Sequence, residues 1–222
     1  MCSNSETRRS LAAGAVVVRA LQNKAIMRYR SVDHLPPASV QRKLTVLGYR
    51  AVGKTALTAH YVKGRHDETY EPTIENTFQK TIREFRSVQF ITEIVDAAGM
   101  DEYSRLSRNA SVGVHGYLLL YSTISRTSFE KVQIINDMLI AMQGGASDVP
   151  RVLVGTMIDC ADRRQVSYEE GQALARRWNV PFVECSAKED INVGEVFRTL
   201  VREIERDNGL LIDEPNGRCV VM

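Results

Sequence analysis

Short apolar runs and amphipathic segments alternate along the chain from about residue 41 onward. The apolar runs predict strands, since uninterrupted apolar stretches bounded by polar residues are typical of a sheet covered on both faces. They are KLTVL (43–47), FITEIV (90–95), GYLLLYS (116–122), RVLVG (151–155) and PFVECS (181–186). The segments between them carry apolar residues at helical spacing, which predicts helices at 55–62, 128–142, 167–178 and 193–206.

This alternation of strands and helices predicts an α/β fold, with a mostly parallel sheet between helices on both faces. Ser128 and Ser167 are predicted N-caps, because acidic residues follow each serine in the next turn. Ligands of such sheets bind at the carboxyl ends of the strands. We therefore expect the functional site at that edge.

The composition indicates one globular domain with additional terminal segments. The 222 residues suffice for a full core, and the net charge of +2 gives no indication of nucleic-acid binding, which we do not expect. Four cysteines lack disulfide-framework or zinc spacing, which is typical of free thiols, and Cys160 and Cys185 are interpreted as buried thiols. The apolar run at 11–18 is shorter than the roughly 20 residues of a membrane span.

Residues 1–40 are predicted to be a disordered arm, since they are basic, poor in acidic residues and end in two prolines. A membrane- or partner-binding arm and an organelle-targeting signal remain as alternatives. Residues 41–207 are the predicted domain, and residues 208–222 are a C-terminal tail.

A glycine-rich loop follows the first predicted strand and precedes the first predicted helix. Its sequence GYRAVGKT (48–55) has a glycine, four residues and then Gly-Lys-Thr. In such loops backbone N–H groups point at phosphate oxygens, the lysine reaches the terminal phosphates and the threonine hydroxyl ligates Mg²⁺. The helix N-terminus adds positive potential. The sequence thus predicts a nucleotide phosphate site formed by Gly48, Arg50, Ala51, Val52, Gly53, Lys54, Thr55 and Ala56.

Further motifs follow this loop in a fixed order. They are YEPTIENTF (70–78), DAAGM (96–100), TMID (156–159) and CSAK (185–188). With these motifs the chain resembles the Ras-type small GTPases from about residue 42 to its end. The stretches PTIENTF, DEYS and SYEEGQALARRW are most similar to the Rheb group of that superfamily. The resemblance implies a monomeric P-loop G domain with a six-stranded sheet, binding GTP or GDP with Mg²⁺.

The resemblance also implies a role for each matching position. Thr55 and Thr73 would ligate Mg²⁺, with Asp96 acting through water, and Lys54, Thr73 and Gly99 would contact the γ-phosphate. The base would be held by Asp159, Thr156, Met157, Ser186, Ala187, Lys188 and His66. An effector surface would consist of Tyr70, Ile74, Asn76 and Phe78.

One departure from the family pattern concerns hydrolysis. Met100 stands where the family has a glutamine that orients the attacking water, as in Ras, the standard example of this mechanism. A thioether cannot donate a hydrogen bond to water. Arg50 and Ala51 add side chains where fast-hydrolysing relatives have glycine. We therefore expect slow intrinsic hydrolysis.

A second departure concerns the base pocket. Asp159, which would accept two N–H bonds from guanine, is retained, and adenine would leave its carboxylate unpaired. Met157 replaces a lysine that packs along the base, Thr156 replaces an asparagine, and His66 stands where a phenylalanine stacks. Guanine selectivity with reduced affinity is expected.

The resemblance implies a GTP/GDP-dependent signalling switch whose GTP form binds a TOR-type kinase complex and whose hydrolysis depends on a tuberin-type GAP. The alternative is a hydrolysis-poor nucleotide-binding adaptor that acts as a constitutive binding module. A P-loop kinase or ATPase is disfavoured by Asp159 and the CSAK motif.

The last four residues are a predicted prenylation signal, in which Cys219 is followed by two valines and a methionine. One lipid anchors a protein weakly. We expect peripheral association with the cytoplasmic face of endomembranes or the lysosome, beside a cytosolic pool.

Overall fold

The computed structural model describes residues 38–64, 75–85, 88–100, 106–144, 149–209, 211–213 and 219–221. The chain divides into two compact units, Met1–Pro37 and Ala38–Met222, and all described residues belong to the second. The first strand begins at Ala38, so the last residues of the predicted disordered arm belong to a sheet instead.

A six-stranded sheet forms the centre of this unit. Its strands lie in the order β2-β3-β1-β4-β5-β6, and β2 runs antiparallel to β3 while every other neighbouring pair is parallel. The strands are β1 (Ala38–Gly48), β2 (Glu75–Phe85), β3 (Val88–Ala97), β4 (Gly116–Ser122), β5 (Arg151–Thr156) and β6 (Phe182–Glu184). The predicted mostly parallel α/β sheet is confirmed, with β2 as an additional edge strand.

Helices follow the strands as the periodicity predicts. They are α1 (Lys54–Lys63), α2 (Arg108–Ser111), α3 (Arg126–Met142), α4 (Tyr168–Trp178) and α5 (Val193–Asp207), with a 3₁₀ turn at Ala161–Arg163. Ser167 caps α4 as predicted, in a capping box with Glu170. The prediction for Ser128 is wrong, because Ser125 caps α3 and the Ser128 hydroxyl accepts from the backbone N–H of Ser122.

The core lies on both faces of the sheet. On one face α1 and α5 pack together, and the rings of Tyr61 and Phe197 stack with centroids 3.9 Å apart. On the other face α3 and α4 cover β4 and β5, where Tyr121 meets Phe129 edge to face. Every residue of β4 is buried, which explains its uninterrupted apolar sequence.

The described part of the C-terminal tail is a pair of short antiparallel strands, β7 (Leu211–Asp213) and β8 (Cys219–Val221). Among the helices of the described residues, none has the length and apolar character needed to cross a bilayer.

Candidate nucleotide-binding site

The glycine-rich loop lies at the carboxyl end of β1, where the sequence places it. A Cβ atom on Gly48 would come within 2.5 Å of the Leu120 carbonyl oxygen, so this position requires glycine. Gly53 caps α1 in a left-handed conformation with φ of 84°, which glycine adopts without strain. Ala51 also has a positive φ, 59°, despite its Cβ atom. The backbone therefore takes a tight turn around the N-terminus of α1.

Lys54 and Thr55 bring together groups suited to phosphate and a divalent cation. The buried Lys54 Nζ donates to the carbonyl oxygens of Gly48 and Tyr49, at 3.2 and 3.0 Å. Burial lowers the pKa of Lys54 to about 8, and the nearby charge of Asp96 opposes this shift. The ammonium group therefore lies against the backbone of the loop, where it could donate hydrogen bonds to a phosphate bound there.

Asp96 supplies the acidic part of the arrangement. Its Oδ2 accepts a hydrogen bond of 2.6 Å from the Thr55 hydroxyl, while its buried Oδ1 has no hydrogen-bond partner among the described residues. Burial raises the pKa of this carboxyl group. A buried carboxylate oxygen without a partner beside a threonine hydroxyl is the hard oxygen set that Mg²⁺ prefers, so the residues present fit this ion.

Gly99 and Met100 approach the loop from β3. A Cβ atom on Gly99 would lie 2.7 Å from Cα of Arg50, so glycine permits this close contact. The Met100 N–H donates to the Gly48 carbonyl oxygen at 3.1 Å. The Met100 side chain is only 4 % exposed and belongs to the same apolar cluster as Ala110 and Tyr117. The position that would orient water in the family is here part of the core.

A cavity of about 290 Å³ opens beside the loop and contains most of the predicted base-binding residues. Its walls include Gly53, Ala56, Thr156, Met157, Asp159, Ala187 and Lys188. Asp159 Oδ1 accepts a hydrogen bond of 2.7 Å from the Ser186 hydroxyl. Although burial opposes ionisation, this bond and the Cys160 thiol lower the pKa of Asp159, so the carboxylate is charged and ready to accept N–H donors.

Thr156 and Met157 connect this cavity with the phosphate loop. The buried Thr156 Oγ1 lies 2.7 Å from the carbonyl oxygen of Val52 and 3.0 Å from that of Tyr121. Met157 adopts a φ of 64°, its sulphur accepts a 3.2 Å hydrogen bond from Ser122, and its methyl group would lie 3.6 Å from a Cβ on Gly53. Thr156 therefore braces the loop, and Met157 places a thioether beside it.

Sequence reasoning left four residues of the cavity wall out of the predicted site: Leu57, Cys185, Cys160 and Arg163. Arg163 was not considered at all, and Cys160 was interpreted as a buried thiol, whereas it is partly exposed and lines the cavity. Both follow Asp159 within one turn of chain, and that proximity was the available signal. Cys185 is fully buried, as expected.

Six of the predicted positions fall in the sequence range 66–78. His66, Tyr70, Thr73 and Ile74 are outside the described residues. Asn76 is exposed, and Phe78 is partly buried against the core.

The start of β2 is tied to the start of α2 by side chains. Glu75 accepts a hydrogen bond from Ser107, which caps α2, and one of 2.7 Å from Asn109. Lys43 in turn donates to Asn109 at 2.7 Å. These side-chain bonds connect β1, which precedes the phosphate loop, with α2 and with β2, which contains part of the predicted effector surface.

A larger cavity, of about 760 Å³, lies between α1, β2 and α5, away from the phosphate loop. Two of its cations have internal partners: Lys80 donates to the Tyr61 carbonyl oxygen, and Arg198 pairs with Glu195 at 2.9 Å. Because this cavity lies away from the phosphate loop, size alone does not mark the nucleotide site. The smaller cavity adjoins the loop at Gly53 and has Asp159 in its wall.

Comparisons with known proteins agree with this geometry. The profile of the Ras family matches residues 43–206. The chain is 44% identical over 183 residues to the GTP-binding protein Rheb homolog of Dictyostelium discoideum, covering 82% of this chain and 97% of that protein. It is 42% identical over 186 residues to the GTP-binding protein Rheb of Homo sapiens, covering 84% and 100%. The Rheb homolog of Drosophila melanogaster is 44% identical over 169 residues, covering 76% and 92%.

Proposed function

Because this chain belongs to the Ras family, as a Rheb-like small GTPase, we propose that it works as a slow, partner-controlled GTP/GDP switch. Its GTP form would bind an effector such as a TOR-type kinase complex, and a tuberin-type GAP would accelerate hydrolysis. Membership of this family implies that the chain binds GTP and GDP. The finer claims about rate, partners and location are proposals that rest on particular residues.

The burial of Met100 is the observation that carries the slow rate. A side chain that is 4 % exposed within an apolar cluster cannot orient water, and methionine has no donor for that task. The chain's own contribution is then to bind and orient: the glycine loop and Lys54 hold the phosphates, while Asp159 selects the base. Bound Mg²⁺ would be held by Thr55, Thr73 and, through water, Asp96, and would supply charge neutralisation at the phosphates.

Guanine selectivity rests on Asp159. The carboxylate has one hydroxyl partner on Oδ1 and remains accessible at the cavity wall, so it can accept the two N–H groups of guanine. We propose that the affinity for guanine nucleotides is lower than in relatives with a lysine at position 157, since the Met157 thioether can pack along the base but has no charge to interact with it. Near-equal affinities for GTP and ATP would contradict this proposal.

The test is a single-turnover GTP assay on the purified full chain with Mg²⁺, with and without a tuberin-type GAP, after identification of the bound nucleotide. Bound guanine nucleotide with slow hydrolysis that the GAP accelerates supports the switch. Bound GTP that is never hydrolysed, even with the GAP, would instead support the hydrolysis-poor adaptor. Intrinsic hydrolysis at the Ras rate, about 4 × 10⁻⁴ per second, would refute the slow-rate proposal.

Prenylation of Cys219 is proposed from the C-terminal sequence and would give peripheral attachment to endomembranes or the lysosome. Replacing Cys219→Ser should move the protein from the membrane pellet to the cytosolic fraction of expressing cells. A matched Cys160→Ser variant should leave the distribution unchanged. If Cys219→Ser pellets like the unmodified protein, the lipid proposal is wrong.

A further inference from the structure

The base cavity lacks the lysine that the family pattern places along the purine ring, and Met157 fills that position without charge. A purine face favours a planar cation above it, because the ring's electron density attracts positive charge and the guanidinium group is flat. Lys188 is already among the predicted base-holding residues, and a second cation on another wall of the cavity could supply the missing contact.

Arg163 is such a cation. It ends the 3₁₀ turn Ala161–Arg163, which begins two residues after Asp159, and this exposed residue lines the same cavity. This turn places the guanidinium on the wall formed by the Asp159 loop, whereas Met157 and Gly53 form the wall beside the phosphate loop. A base held by Asp159 would thus have the guanidinium close to its ring.

Cys160 holds this arginine next to the carboxylate. The Arg163 Nη2 lies 3.0 Å from the Cys160 sulphur, and the same sulphur lies 3.4 Å from Asp159 Oδ2. The thiol therefore contacts both groups, donating towards the carboxylate and accepting from the guanidinium. Side-chain contacts thus run from Ser186 through Asp159 and Cys160 to Arg163.

We propose that Arg163 is a further nucleotide-binding residue, whose guanidinium stacks on the purine ring of the bound guanine nucleotide and replaces the missing lysine contact. The proposal rests on the guanine-nucleotide site described above and assigns it a residue that the family pattern does not supply. Cys160 has a positioning role, since its sulphur contacts the Arg163 guanidinium.

The experiment measures release of phosphate-radiolabelled GDP and IDP from the full chain with Mg²⁺, by filter binding. An exposed cation–π contact corresponds to about a two- to fivefold change in a rate constant, so Arg163→Ala should release GDP about two- to fivefold faster. Asp162→Ala is the matched control, because Asp162 is exposed on the same turn and does not line the cavity. Its release rate should equal that of the unmodified protein.

Two comparisons separate stacking from other roles. IDP lacks the amino group that Asp159 would read, so loss of stacking should accelerate GDP and IDP release equally. An effect on GDP alone would mean that Arg163 acts through Asp159 and would overturn the stacking. Arg163→Lys should restore less than half of the effect, since lysine keeps the charge without the plane; full restoration would also overturn it.

The role of Cys160 is tested by a double-mutant cycle. Cys160→Ala should give part of the Arg163→Ala acceleration. Its effect should be smaller in a chain that already carries Arg163→Ala, where only the thiol's contact with Asp159 is left to lose. Independent, multiplicative effects would overturn the positioning role. Release from Arg163→Ala at the unmodified rate would overturn the role of Arg163 alone, whereas an unmodified chain that retains neither nucleotide would overturn the guanine site itself.

Discussion

Replacing Met100→Gln should destabilise the protein, although it restores the residue that the family uses in hydrolysis. The Met100 side chain is 4 % exposed within an apolar cluster that includes Leu47, Val95 and Tyr117. A glutamine kept in this position would bury an amide without a partner, which costs about 1–3 kcal/mol. If the glutamine side chain instead turned out to solvent, it would leave a cavity of about the volume of a methionine side chain, which costs about 2 kcal/mol or more of stability.

Both outcomes predict a loss of about 2 kcal/mol, which corresponds to roughly 4–8 °C in Tm for a chain of this size. Thermal unfolding should be followed at one fixed concentration of GDP and Mg²⁺, because ligand stabilises the folded state by mass action. Met100→Leu is the matched control, since this swap conserves apolar volume and costs less than about 1.5 kcal/mol. If Met100→Gln melts at the unmodified temperature, the side chain is not part of the core and the reasoning on hydrolysis loses its basis.

Further predictions concern the loop, a buried ion pair and a histidine. Gly48→Ala should weaken GDP binding about tenfold or more by calorimetry, because its Cβ would lie 2.5 Å from the Leu120 carbonyl oxygen; unchanged affinity would contradict the close approach. Arg42→Ala should cost about 3–5 kcal/mol in urea unfolding, since it leaves Glu205, 1 % exposed and paired at 2.6 Å, without its cation; a loss below about 1 kcal/mol would refute the buried pair. Partial desolvation and the Arg42 charge lower the pKa of His115 below its ordinary 6.5, so the unfolded chain binds the proton first as pH falls, and stability should decrease below about pH 6.5. The same urea series with His115→Gln should lose less stability in that range, and parallel curves would exclude the histidine as the cause.

Hydrophobic periodicity predicts the interior of this fold and fails at its edge. The all-buried β4 and the helix α5 follow from their patterns, because one is covered on both faces and the other packs one face on the sheet. The apolar pattern did not predict β2, since it is an edge strand in which exposed and partly buried residues dominate. Its first residues were interpreted only as part of the effector surface. Its antiparallel pairing with β3 is a long-range contact that local pattern cannot specify.

The site was predictable where chemistry follows from spacing and unpredictable where it depends on side-chain direction. The order glycine, lysine and threonine suffices to place the phosphate loop between β1 and α1. The sequence also shows that a glutamine is missing at Met100, but not that the methionine turns into the core. Arg163 and Cys160 were missed for the same reason, because nothing in the sequence states which way a residue after Asp159 points.

The hydroxyl of Thr156 has a consequence for how a nucleotide is recognised. It joins the strand that precedes Asp159 to the Val52 carbonyl oxygen of the phosphate loop, at 2.7 Å. The distance between the two ends of the ligand is thereby set before the ligand arrives. A nucleoside and a free polyphosphate should therefore bind far more weakly than the intact nucleotide, because only a covalently joined ligand gains the effective concentration that a fixed spacing offers.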